Sequence, residues 1–211
     1  MLLVAIGGLI GSLFAGVLSP QLMSISQGPS KNDALAAGFP LSVDHKFALK
    51  ERSGDAKLNR ASLQVFEQTV VDPDQHCEYC TLLRYTPGAL KHAGIGYVGN
   101  PVDLLEAKRM TVFVMGEEGG ELVKLAIAGK KMQASGEVKY ALKTNTITLS
   151  NEWTPIQIDL TQISNKTDLL GVTHPFEIEV IKSKTEANNV YIKYVTYDQE
   201  LAQSPLETVQ Q

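Results

Sequence analysis

Period-two alternation of apolar and polar residues is the feature that most constrains this chain. From Trp153 to Leu160, Ile156, Ile158 and Leu160 share one phase and Gln157 and Asp159 the other. Such alternation is the signature of a half-buried β-strand, because successive side chains point to opposite faces. Phe176, Ile178 and Val180 alternate in the same way with Glu177 and Glu179, and Val123, Leu125 and Ile127 stand opposite Lys124. VYIKYVTY (Val190 to Tyr197) is rich in β-branched and aromatic residues. MTVFVM (Met110 to Met115) is apolar in both phases, as a central sandwich strand can be. Turn signals separate the runs: Pro87-Gly88, Glu117-Glu118-Gly119-Gly120, Ala128-Gly129-Lys130, Ser135-Gly136 and Asn188-Asn189. Nine or ten short strands at regular spacing, with no long amphipathic helix among them, predict an all-β antiparallel sandwich or barrel.

The first part of the chain is different. Residues 2–18, LLVAIGGLIGSLFAGVL, carry no charge and four glycines. A run of about 17 apolar residues sits at the lower limit for crossing a bilayer, and glycine is tolerated better in membrane helices than in soluble ones. The run reads as a signal or membrane anchor. It has no basic residue in front of it and no A-x-A site directly after it, so cleaved and uncleaved forms both stand. Residues 19–45 are rich in Pro, Gly, Ser and Asn and read as a linker. Residues 46–198 form the sandwich domain, and 199–211 a polar tail. The domain is thereby expected on the extracytoplasmic side, membrane-anchored or secreted.

With 44% apolar residues the chain can build a core. A formal net charge of -4 leaves no basic footprint for nucleic acid and no polybasic signal for anionic lipid.

Three stretches together resemble the galactose-binding-like jelly roll shared by carbohydrate-binding modules. Leu104 to Gly129 is similar to the strand, Gly-Gly turn and strand of its buried FxxxG hairpin. Thr146 to Leu160, TITLSNEWTPIQIDL, resembles its Thr-Leu strand, turn, Trp and I-x-I-D-L strand. Val190 to Asp198 is similar to the closing strand, and Gly94-Ile95-Gly96-Tyr97 to the glycine-flanked aromatic before the first hairpin. The resemblance implies non-catalytic binding, usually of a glycan or cell-envelope polysaccharide. Such modules often hold a structural calcium through an acidic residue of the closing strand; Lys193 and Tyr194 stand there, which speaks against that ion.

The candidate ligand contacts are Tyr85 and Tyr97, both beside turns, with glycines 94, 96 and 99 around Tyr97 leaving room for a ligand. His92 and Trp153 complete the set. Trp153 has two readings, a stacking platform for a sugar ring and a core residue opening its strand. QHCEYC (Gln75 to Cys80) is the most unusual segment. In an exported protein Cys77 and Cys80 are expected to close a disulfide. The alternative is a Zn or Cu site of His76, Cys77, Cys80 and His92; otherwise the two are free thiols. Apart from that alternative no cofactor is expected. The carboxylates Glu117, Glu118 and Glu121 read as a solvated hairpin tip and not as a glycosidase pair. Asn165-Lys166-Thr167 is an N-glycosylation sequon in a polar loop. A structural accessory domain of a membrane complex is the remaining reading.

Overall fold

The computed structural model describes residues 35–36, 38–51, 63–69, 80–86, 91–182 and 188–200, all within the compact unit Lys31–Gln211. The apolar run 2–18, the first part of the 19–45 segment, His76, Cys77 and residues 201–211 lie outside the described residues. Among the described residues no helix is long and apolar enough to cross a membrane.

The strands, in chain order, are β1 (Leu35–Ala36), β2 (Leu41–Ser42), β3 (Ala48–Glu51), β4 (Leu63–Thr69), β5 (Cys80–Tyr85), β6 (His92–Val98), β7 (Val102–Asp103), β8 (Arg109–Gly116), β9 (Leu122–Lys131), β10 (Val138–Lys143), β11 (Ile147–Thr148), β12 (Thr154–Asp159), β13 (His174–Ile181) and β14 (Asn188–Asp198). One short helix, α1 (Val43–Lys46), precedes β3. Two antiparallel sheets form. One runs β10-β9-β13-β6-β3, with β11 also on β9; the other runs β12-β8-β14-β5-β4, with β2 also on β14. They are called here the β13 sheet and the β14 sheet, after their central strands. β1 and β7 make a small parallel pair.

Alternation decides what each strand buries. In the β13 sheet Phe176, Ile178 and Val180 face inward and meet Val123, Leu125 and Ile127 on one side and Ala93, Ile95 and Tyr97 on the other. In the β14 sheet Val190, Ile192, Leu83, Tyr85, Met110, Val112 and Val114 face them. Each large side chain taken from water contributes about 1.5–3 kcal/mol. The apolar phase read in the sequence at β9, β12 and β13 is the inward phase.

Three boundaries differ from the sequence reading. Leu41 and Val43 are buried in the core, and Leu41 pairs with Tyr197, so the sandwich starts before residue 46 and the linker ends sooner. Prolines and small residues masked the two apolar anchors. Ala128-Gly129-Lys130 is no turn but lies inside β9, where Ala128 takes φ 54°. Gly129 is needed there because a Cβ would stand 2.5 Å from the Tyr140 ring. Leu160 is fully buried as expected, but it belongs to a 3-10 turn (Leu160–Gln162) capped by Asp159 and not to β12.

The central strand β14 changes phase. Its register against β8 shifts between Lys193 and Thr196. Before the shift Val190 and Ile192 point inward; after it Val195 and Tyr197 do. The extra residue is Tyr194, at φ 52° and 53% exposed.

Leu125→Ala, in the inward row of β9, is expected to lower stability by about 2–5 kcal/mol. Gln157→Ala, exposed on β12 between the half-buried Ile156 and Ile158, should change it by no more than about 0.5 kcal/mol. Chemical denaturation of both checks this, and equal effects would mean that the register is wrong.

Candidate binding face

The outward phase of the β14 sheet carries three rows of side chains. In the middle row Phe66, Leu82, Tyr191 and Met115 are successive cross-strand partners on β4, β5, β14 and β8. Trp153, just before β12, packs on the same cluster, in which Cys80, Met115 and Tyr191 are buried and Leu82 and Trp153 partly so. On one side Lys193, Phe113 and Pro155 pair across β14, β8 and β12. On the other side Gln64, Arg84 and Asn189 pair across β4, β5 and β14.

Aromatic rings on this face are paired with cations. The Lys193 ammonium lies 3.9 Å from the Trp153 ring centre and 5.5 Å from that of Tyr194. The Arg84 guanidinium lies 5.4 Å from the ring centre of Phe66, which is 37% exposed. Tyr194 meets Phe113 edge to face at 6.0 Å, a favourable geometry for ring quadrupoles. The polar row is linked: Arg84 Nε donates to Asn189 Oδ1 (3.4 Å), and Asn189 Nδ2 to Glu117 Oε2 (2.6 Å). No carboxylate of the described residues ion-pairs with Lys193.

The outward face of the β13 sheet is of another kind. Tyr140 donates its hydroxyl proton to Glu177, and His92 pairs with Glu179 at 3.2 Å. Lys124 and Lys143 complete a charged surface there, with the Lys143 ammonium 5.4 Å from the Tyr140 ring centre.

The residues picked from the sequence are distributed unevenly. Trp153 lies on the aromatic face, half-buried, and so holds both of its readings at once. Tyr85 is fully buried in the core, and burial pushes its phenol above the usual tyrosine range. Tyr97 also points inward, 5% exposed and tilted against Phe176. Its glycines serve packing. A Cβ at Gly94 would stand 2.6 Å from the Ile178 carbonyl oxygen, and one at Gly99 2.6 Å from the Phe47 ring. His92 is on the β13 sheet and Cys80 on the β14 sheet, while His76 and Cys77 lie outside the described residues. Among the described residues no group of three His, Cys, Asp or Glu is placed to hold a metal. Cys80 is buried and is not a free thiol. Asn165 is exposed and caps the 3-10 turn Lys166–Leu169, its Oδ1 accepting from Thr167 N (3.3 Å) and Oγ1 (2.8 Å).

Phe66, Arg84, Phe113, Lys193 and Tyr194 are not among the ligand contacts read from the sequence. The signal existed for Phe113, which alternates against the inward Val112 and Val114. For Tyr194 no such signal existed, because the register shift that exposes it has no local sequence mark.

No protein-family model matches the chain, and no curated protein does. Solved structures do. A family 30 carbohydrate-binding module superimposes with a TM-score of 0.55 at 16% identity, over 77% of this chain and 100% of that one. A second structure of a family 30 module gives 0.50 at 17% identity, over 71% and 80%. The chain thus has the two-sheet sandwich of carbohydrate-binding modules, the fold expected from its motifs.

Trp153 is the sole tryptophan, so its fluorescence reports on this face alone. Lys193→Gln should increase acrylamide quenching of that emission while lowering stability by no more than about 1 kcal/mol, the usual size of an exposed cation–π contact. Unchanged quenching would mean that the ammonium does not cover the ring.

Proposed function

We propose that this protein is a non-catalytic glycan-binding module and that the outward face of the β14 sheet is its binding surface. One observation carries the reading. Phe66, Phe113, Trp153 and Tyr194 all stand on the outward side of the β14 sheet, beside an amide, a guanidinium and a carboxylate already joined to one another. A pyranose ring offers an apolar C–H face to an aromatic ring and a rim of hydroxyls to polar partners. The face supplies both kinds of group side by side. From β12 to β4 it crosses four interstrand gaps, about 19 Å at the usual strand spacing, which suits an extended oligosaccharide and not a single sugar.

The fold likeness supports the reading without deciding it, because function lives in the site and not in the fold. The reading needs no metal and no cofactor. It also accommodates the export expected from the N-terminus. In this proposal residues 2–18 direct or tether the domain to the outer side of a membrane, where polysaccharide is met, and Asn165 is open to glycosylation. Cys77 and Cys80 close a short disulfide beside the aromatic cluster.

Affinity electrophoresis of the full chain through gels containing soluble β-glucan, xylan, mannan or pectin tests the function. Retardation by at least one polysaccharide is expected. Phe66→Ala and Trp153→Ala should each weaken that binding at least tenfold, about 1.4 kcal/mol, while Lys124→Ala on the other sheet should leave it unchanged. No retardation in any gel, or equal losses from both faces, would sink the proposal.

The disulfide has its own check. Intact mass under non-reducing conditions should be two protons lighter than the dithiol form. Two alkylatable thiols with stoichiometric zinc or copper would instead reinstate a metal site.

A further inference from the structure

The shift in β14 leaves a window in the sandwich. β5 follows β14 as far as Thr81, opposite Ile192, and β2 rejoins β14 at Ser42, opposite Thr196. Between them neither strand pairs with β14 over residues 193–195. Residues of helix α1 and the start of β3 line, together with residues 192–194, a cavity of about 600 Å³. That volume falls within the range of small-ligand pockets. Asp44, His45, Ala48, Thr81, Lys193 and Tyr194 are among its walls, and Phe47, Tyr97 and Ile192, all buried, reach it from the core.

Lys193 and Tyr194 line this cavity and also contribute to the aromatic face, so the two adjoin at these residues. Tyr194 is held at φ 52°, a conformation uncommon for a residue with a side chain, at the register shift of β14. The Lys193 ammonium lies near two rings and, among the described residues, near no carboxylate. Ring faces stabilise a cation, but they do not neutralise it, and its N–H donors keep room for an anion. Among the described lining residues the carboxylate is Asp44. Ser42 Oγ donates to it at 2.5 Å, and it forms no ion pair with Lys193, so it keeps acceptor capacity for sugar hydroxyls.

We propose that the cavity takes the terminal unit of a glycan lying on the aromatic face, and that this unit is an anionic sugar, its carboxylate or sulfate set against Lys193. The inference rests on the glycan reading of that face. The unit is placed at the end of the glycan because the core residues Phe47 and Ile192 are among the cavity's walls.

Calorimetric titration of the full chain tests this with three oligosaccharides of equal length: an oligogalacturonate, a sulfated galactan fragment and an uncharged β-glucan. At least one acidic probe should bind tenfold or more tighter than the uncharged one, and the two acidic probes tell carboxylate from sulfate. Lys193→Gln should abolish the preference, and Lys193→Arg should keep it. Ala48→Trp, which narrows the mouth from β3 without touching the aromatic face, should weaken acidic binding at least tenfold and spare the β-glucan. Thermal unfolding of each variant shows whether it is folded. Equal affinity for charged and uncharged probes, or acidic binding indifferent to Lys193→Gln and Ala48→Trp, overturns the cavity proposal and leaves the glycan face standing. Failure of all three probes, together with no retardation by any polysaccharide, overturns both.

Discussion

One residue of extra length in β14 sets the geometry on which the candidate site depends. β14 is the central strand of its sheet, and its inward set is Val190 and Ile192 before the shift and Val195 and Tyr197 after it. Without the shift one of these pairs would face solvent, since a one-residue slip in a strand exchanges its two faces. The shift lets both halves bury their apolar side chains and sends the surplus residue, Tyr194, outward. Tyr197 confirms how firmly the second half is seated: it is fully buried and donates its hydroxyl proton to the Pro175 carbonyl at the start of β13. Arg109 closes the same end by donating through Nε and Nη2 to Asp198 at 3.1 and 2.9 Å. The local disorder of pairing at residues 193–195 is thus held from both sides by well-packed strand.

The two outward faces show what the sheets can do with their exposed phase. On the β13 sheet Glu177 and Glu179 already have partners in Tyr140 and His92. A ligand would have to displace contacts that the protein makes with itself. His174, at the start of the same strand, is held below its usual pKa, first by burial and then by Lys131 and Lys50; its charge is suppressed and not put to use. On the β14 sheet, Phe66, Phe113 and Tyr194 stand at least partly in water, with cations beside Phe66 and Tyr194. Exposed apolar area on a soluble domain is normally kept small and scattered, so a contiguous patch points to an interaction.

Much of the fold was legible because alternation is a direct consequence of strand geometry. Ile156 and Ile158, Phe176 to Val180 and Val123 to Ile127 all carry their inward phase in the sequence. The site was less legible, and for a physical reason. A tyrosine beside a turn and a tyrosine in a core look alike in sequence, since the ring is apolar and the hydroxyl needs only one partner. Tyr85 and Tyr97 were chosen for nearby turns and glycines, yet Gly94 and Gly99 answer to close contacts with the Ile178 carbonyl and the Phe47 ring. Lys193 and Tyr194 could not be read as a site because their positions follow from a register shift between two strands far apart in the chain. Leu41 and Val43 were lost in a segment whose composition is that of a linker.

The arrangement of the aromatic face also says how its binding energy would be distributed. Cys80, Met115 and Tyr191 lie beneath the surface and hold Leu82 and Trp153 at its level. They make a firm floor, and a ring seated on such a floor loses little conformational freedom when a ligand stacks on it. Phe66 and Tyr194 stand further out and are steadied by Arg84 and by Phe113 with Lys193. Preorganisation of this kind lowers the ordering cost of association. The strongest contribution is therefore expected where the floor is best buried, near Trp153 and the shift in β14. The Phe66 end, at the outermost strand β4, stands further out and is steadied by Arg84.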